Sequence, residues 1–336
     1  MQLAPGIEVI QARFWNRPIN LVLFLGKDRS ALIDTGIPGT PAEHIFPYLQ
    51  KLGMAAKDIS LVINTHSHAD HIGGNYEIWE ASGKRALFGA HRLEKWLIED
   101  PSNQGSAASW GRYIPTGLQT EKEIDASVQA CGQGVKMSYT FDGGERFDLG
   151  GLELEILFCP GHSEGNLSVL ERTHGVLVHG ESIAGIAQYD TEGKLLTMPF
   201  YYDVEGYLRT LGVLARTEWK TLIASHLPIM DRRQGLDFIR QSLDFTLRLD
   251  AEVGRRIRES GGAVTAQQIW KGMDKLWGQY PADFGMYTLI ETHVKSLLQR
   301  GLLTGYVEGP LTWRAIKDPK LESIADSVRA DLNHAH

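Results

Sequence analysis

The chain has 336 residues, 43% hydrophobic and 22% charged, with a net charge of -7, a balance that excludes a disordered or fibrous chain and suits one large domain plus a smaller one. Against 12 histidines there are two cysteines, Cys131 and Cys159, so neither a disulfide framework nor a four-thiolate metal site is available. The opening MQLAPGIEVIQARFW lacks the pattern of a secretory signal and no apolar run approaches a membrane span, so a cytoplasmic protein acting on small molecules, without a membrane, is expected.

Short apolar runs at 19–25, 31–33 and 60–64 predict buried strands, with a helix over 41–52 that Thr40 introduces as N-cap. Residues 75–81 predict a helix, 85–89 a strand and 91–98 a helix. From 101 to about 136 the chain is rich in Gly, Ser, Gln and Pro without a clean period, which reads as an irregular or partly helical insertion, either a lid or a surface excursion. Strand patterns resume at 151–158, 167–171, 176–179 and 221–224. Helical spacing follows at 235–258, 265–277 and 286–300, then a hairpin of 302–307 and 311–316 around Glu308-Gly309-Pro310. The divisions expected are a domain of 1–232, a helical, winged-helix-like domain of 233–318 and a polar tail of 319–336. Apolar residues on the C-terminal helices would serve either a homodimer or closure of a site.

The sharpest feature is Asn64-Thr65-His66-Ser67-His68-Ala69-Asp70-His71, directly after the apolar run 61–63. A tight loop at a strand end can bring three imidazoles and a carboxylate together where a strand would splay them to opposite faces. His66 and His68 can grip one cation while Asp70 and His71 turn toward another.

This run resembles the HxHxDH signature of the metallo-β-lactamase-fold hydrolases. Ile33-Asp34-Thr35-Gly36 upstream, Cys159-Pro160-Gly161-His162-Ser163-Glu164-Gly165-Asn166 and Ala224-Ser225-His226-Leu227-Pro228 downstream resemble that family's further elements, in its order. The resemblance implies an α+β fold, an αββα sandwich, and two divalent metal ions. Zinc is the default, with iron, manganese or nickel as alternatives. It makes His66, His68 and His162 ligands of the first metal, Asp70 and His71 ligands of the second, and His226 a further metal ligand. Asp34 would support a ligand histidine from behind, and Asp70 would also orient the attacking water or accept its proton. Where the family places a bridging aspartate after a glycine, this chain has Gly180-Glu181, so Glu181 takes that position with one extra methylene.

In the segment Met198-Pro199-Phe200-Tyr201-Tyr202-Asp203, Tyr201 and Tyr202 are candidates to hydrogen-bond a substrate, or else anchor the following helix. His91, His174, His179, His293, His334 and His336 read as ordinary packing or surface residues. The first functional reading is a metal-dependent hydrolase of an ester, lactone or thioester, its substrate small and partly apolar. Trp96, Trp110 and Tyr113, with Trp270, Trp277, Phe284 and Tyr287 in the C-terminal region, favour such a substrate. A second reading is a phosphodiesterase or endoribonuclease gripping RNA through Lys271, Lys275, Lys295, Arg300, Arg314 and Lys317, against which stand Asp274, Asp283, Glu291 and Glu308. A third is a metal-binding regulatory protein with low turnover, which the Glu181 substitution motivates.

Overall fold

The computed structural model describes every residue except 115–118, 262–263, 272, 274–279, 281–283, 307–311, 316–321 and 336. The chain divides into two compact units. The first comprises Met1–Cys159, Glu164–Ser182 and Glu218–Arg232; the second comprises Pro160–Ser163, Ile183–Thr217 and Arg233–His336.

Two sheets make the first unit. Seven strands pair in chain order, from Gln2–Ala4 through Ile7–Phe14, Arg17–Leu25, Ser30–Ile33, Leu61–Ile63 and Leu87–His91 to Tyr139–Phe141. The second sheet is ordered Met230–Asp231, Thr221–Ala224, Val176–Gly180, Leu167–Glu171, Glu153–Phe158, Arg146–Asp148. Alternation along the strands explains how one sheet serves two cores. Ile7, Val9, Val22, Phe24, Ala31, Ile33, Leu61 and Ile63 join Leu154, Ile156, Val169 and Ile223 from the second sheet, whereas Ile10, Leu21, Leu23, Leu32 and Val62 face helix residues such as Ile45, Leu49 and Ile78. Burial on both faces is why these strands read as continuous apolar runs.

Four neighbouring strands of the first sheet run parallel, from Ser30–Ile33 to Tyr139–Phe141. In the second, Val176–Gly180 runs parallel to Thr221–Ala224. Parallel strands place their C-terminal ends together, and the loops that leave those ends are where an open α/β sheet carries its ligands. Asp34, Asn64, Glu181 and Ser225 each begin such a loop.

Several local expectations shift. The helix expected over 41–52 is a π-turn at Pro41–Ile45 running into Phe46–Lys51, and Thr40 makes no cap bond to it; its hydroxyl accepts from Ile37 N instead, at 3.1 Å. The insertion holds a helix, Glu121–Ala130, started by a capping box in which Thr120 and Glu123 satisfy each other's backbone N–H groups.

The second unit carries the helices Val204–Arg216, Ala266–Trp270 and Phe284–Gln299, the long helix Arg232–Glu259 from Arg233 onward, and a paired hairpin, Leu303–Tyr306 with Thr312–Ala315. The turn expected at 308–310 lies outside the described residues. The polar tail is corrected. Glu322–His334 is a helix whose Ala325, Val328 and Leu332 are buried, and Asp331 accepts from Arg216 at 2.8 Å. Apolar residues spaced three and four apart carry it onto Val204–Arg216, a short stripe that the surrounding charges mask in sequence.

Candidate metal centre

Six of the expected ligands converge within the first unit. His66 Nε2 lies 2.9 Å from His68 Nδ1 and 3.6 Å from Glu181 Oε2. His71 Nε2 stands 3.5 Å from Glu181 Oε2 and 3.6 Å from Asp70 Oδ2, and His226 Nε2 stands 3.0 Å from Asp70 Oδ2 and 3.4 Å from Glu181 Oε1. In the group Asp70, His71, Glu181 and His226 one ligand atom from each residue lies within 4.8 Å of every other. Glu181 faces both sets of imidazoles, one oxygen toward His66 and His71 and the other toward His226.

Two of the imidazoles, His71 and His226, are aimed from behind. Asp34 takes three hydrogen bonds, from Thr65 N, Thr65 Oγ1 and His71 Nδ1, each at 2.8 Å. His226 Nδ1 donates to Pro18 O at 2.7 Å. With Nδ1 carrying the proton, Nε2 of both rings presents a lone pair. Both Nε2 atoms are buried without a hydrogen-bond partner, the 3.0 Å approach of His226 to Asp70 included. Two orphaned lone pairs beside buried carboxylates are the donor set of a divalent cation, and a bound cation would satisfy all of them at once.

Electrostatics point the same way. Burial would raise the Asp70 carboxyl, but the neighbouring His71 and His226 imidazoles hold it at about 2. Burial would lower His71, yet Asp70 and Asp34 carry it well above its ordinary value, so a proton competes with a cation for its Nε2 lone pair. The pocket therefore attracts positive charge strongly at neutral pH.

The backbone supports this arrangement at two left-handed positions. Asp34 adopts φ 61°, uncommon for a residue other than glycine, and the turn lets both its oxygens face Thr65 and His71. Gly180 adopts φ 60°, and a Cβ there would come 2.8 Å from Thr65 Oγ1, so glycine is what allows Glu181 to follow the strand so closely.

Two positioning residues were not foreseen. Glu94 is buried, accepting from Ser67 N at 3.2 Å and from Gly165 N at 2.7 Å. Gln104, from the insertion, donates to Ser67 O at 2.7 Å. The histidine loop is thus clamped on both sides of Ser67. Trp110, also from the insertion, stands edge-on to His68 with ring centroids 5.4 Å apart. Neither clamp has a sequence signature, because the partners lie 27, 37 and 71 positions away.

In the second unit, His162 Nδ1 donates to Phe200 O at 2.7 Å, the same device that fixes His71 and His226. Tyr201, expected to meet a substrate, is fully buried, with its hydroxyl 2.8 Å from His293 Nε2 and 3.3 Å from Thr246 Oγ1. Packing on Tyr207 and the helices, rather than solvent, is its environment. Tyr202 is half-buried, its ring edge-on to Phe200 at 4.7 Å. His293, read as ordinary, belongs to this buried network. Arg300, counted among RNA-gripping residues, binds both oxygens of Asp250 at 2.8 and 3.0 Å.

Residues 15–226 match the model of the metallo-beta-lactamase superfamily, and the chain belongs to that superfamily. It is 26% identical over 244 residues to acyl-coenzyme A thioesterase MBLAC2 of Bos taurus, covering 67% of this chain and 78% of that protein. It is 25% identical over 187 residues to hydroxyacylglutathione hydrolase GloC of Haemophilus influenzae, covering 55% of this chain and 76% of that protein. The crystal structure of a metallo-beta-lactamase family protein from Thermus thermophilus, TTHA1429, is similar in fold, with TM-score 0.70 and 19% identity over 94% of this chain and 100% of that one. A beta-lactamase domain protein from Burkholderia ambifaria matches with TM-score 0.66 and 17% identity, covering 94% of this chain and 93% of that one. The fold is the α+β metallo-β-lactamase-like sandwich with a C-terminal helical region, and the chain is an enzyme of this hydrolase family. No helix among the described residues is long and apolar enough to cross a membrane.

Proposed function

We propose that the chain hydrolyses an acyl thioester of a small, partly apolar molecule with the help of two divalent metals, zinc by default. His66, His68 and His162 would hold the first, Asp70, His71 and His226 the second, and Glu181 would serve both. The observation that carries this reading is the pair of buried, unpartnered Nε2 atoms of His71 and His226 beside Asp70 and Glu181. His162 is assigned by its motif and by its chain position. It lies in the four-residue segment Pro160–Ser163, and the flanking Cys159 N donates to Asn166 O at 2.9 Å in the first unit, closing that loop at its base.

Bound there, divalent cations would supply a water that ionises near neutral pH and an electrophile for the scissile carbonyl. The chain's own residues do the rest. Asp70 would hold its cation and orient the attacking water or accept its proton. Glu94 and Gln104 keep the histidine loop fixed while substrate is exchanged. Trp110 offers an apolar surface beside His68 that suits the acyl part of the substrate.

Thioesters are preferred over esters and lactones because relatives named for acyl-coenzyme A and hydroxyacylglutathione match 67% and 55% of this chain. A panel of acyl thioesters, p-nitrophenyl esters, lactones and bis(p-nitrophenyl) phosphate, run beside elemental analysis, tests it. The expected result is fastest turnover of a thioester, lost together with bound metal in His68→Ala. Faster cleavage of the phosphodiester, or full activity without metal, overturns the reading.

A further inference from the structure

What aims His162 lies wholly within the second unit. The Phe200 carbonyl accepts from His162 Nδ1 at 2.7 Å, which leaves Nε2 of that ring as a lone pair. The chain around this carbonyl is held from several sides. Tyr202 N and Asp203 N donate to Gly161 O at 2.7 and 3.2 Å, tying the two segments together. Thr210 Oγ1 donates to Pro160 O at 2.7 Å, and the Thr292 hydroxyl, 2.8 Å from Thr288 O, is shared with Tyr201 O at 3.2 Å. A Cβ on Gly161 would come within 2.5 Å of Tyr207 N, so the histidine segment lies directly on the helix Val204–Arg216.

The side chain of Tyr201 is fixed more firmly still. Its ring stacks on Tyr207 with centroids 4.2 Å apart, and its hydroxyl meets His293 Nε2 at 2.8 Å. His293 Nδ1 lies 3.1 Å from Asp250 Oδ1, so a ring that donates there accepts the Tyr201 proton at Nε2. Arg300 then neutralises Asp250 through both carboxylate oxygens. Tyr201, His293 and Asp250 are all at most 2% exposed.

Burying Asp250, His293 and Tyr201 together costs more than filling the same space with apolar side chains, and their mutual bonds, with that from Arg300 Nη2, offset the cost. Packing alone does not call for such a chain. Its physical consequence is to permit one placement of the Tyr201 ring, and the backbone attached to that ring includes the carbonyl that orients His162.

We infer that Tyr201, locked by His293, is a positioning residue for His162 in its part as a metal ligand. The inference rests on the reading of His162 as a ligand, and its observations all lie within the second unit.

The test is chelator competition on the full chain, together with the visible spectrum of the cobalt(II)-substituted protein. Tyr201→Phe keeps the ring and removes only the hydroxyl. The expected result is about tenfold weaker binding of one metal equivalent, with the other unchanged and the cobalt band shifted. Thr292→Val, which frees the Tyr201 carbonyl, should move the same equivalent and decides the matter if Tyr201→Phe folds poorly. Wild-type affinity and an unmoved cobalt band in both variants, whatever their thermal stability, overturn the inference. His162→Ala separates the two levels. Retention of both equivalents at wild-type affinity removes His162 from the ligand set. Loss of one equivalent there, with normal binding in Tyr201→Phe and Thr292→Val, sinks the positioning role alone.

Discussion

His71 Nδ1 donates to Asp34 Oδ2 at 2.8 Å across 37 positions of sequence, and the same carboxylate holds both the backbone and the hydroxyl of Thr65. Asp34 therefore ties together the end of one parallel strand and the loop that leaves the next. It does so from a left-handed backbone, φ 61°, in a turn that precedes Thr35 and Gly36. The aspartate decides which nitrogen of His71 is offered to the site.

Asp34→Asn tests that relationship with little change in backbone preference, since asparagine tolerates positive φ. An amide presents a donor where one of the three N–H or O–H groups now donates, so at least one buried hydrogen bond is lost. We expect stability to fall by about 1–3 kcal/mol in urea unfolding and metal affinity to fall about 10–100-fold. Unchanged affinity with reduced stability would mean that Asp34 organises the loop without tuning the ligand.

Glu94→Gln probes the clamp on the histidine loop. The two carboxylate oxygens accept from Ser67 N and Gly165 N, and both contacts are buried. A glutamine amide can satisfy one of these N–H groups and must set its own N–H₂ against the other. The expected outcome is a loss of about 1–3 kcal/mol in denaturant unfolding and a fall in kcat larger than any rise in KM, because the loop carries the proposed metal ligands. A variant with wild-type stability and rate would show that Gln104 and Asp34 hold the loop without Glu94.

The legible part of the site was local. His66, His68, Asp70 and His71 fall within six residues on one loop, and Asp34 and Glu181 each follow an apolar run, so their chemistry and their placement at strand ends could be read together. Glu94 and Gln104 could not, because an acid or an amide near a helix reads as a solvated side chain until its distant partner is known. The Thr120-x-x-Glu123 pair was a readable helix start inside the insertion and was obscured by the loop-like composition around it. Tyr201 misled for a physical reason. An aromatic hydroxyl near a site is equally consistent with an exposed donor and a buried one, and only the His293 and Asp250 partners, 92 and 49 residues away, settle which it is. The two-core alternation of the first sheet was equally hidden, since strands buried on both faces carry no polar rhythm.

Glu181→Asp asks what the extra methylene does. Glu181 Oε2 stands 3.6 Å from His66 Nε2 and 4.0 Å from His68 Nδ1, while Oε1 stands 3.4 Å from His226 Nε2. Removing one methylene withdraws the carboxylate by about 1.5 Å. The main chain cannot follow it, because Gly180 already lies against Thr65 and that threonine is bound to Asp34. One of the two sets of imidazoles must then lose its carboxylate. We expect one metal equivalent to bind about tenfold more weakly and the other to stay near its original affinity. In thermal unfolding at metal concentrations well above either dissociation constant, that change should remove about 1.4 kcal/mol of metal-linked stabilisation, since each tenfold in affinity is worth that much. Equal metal content and an equal metal-dependent rise in Tm would show that the longer arm has no consequence for the centre. Weakening of both equivalents together would place Glu181 between the two metals with no preference for either, and would make the carboxylate, rather than any one histidine, the group that couples them.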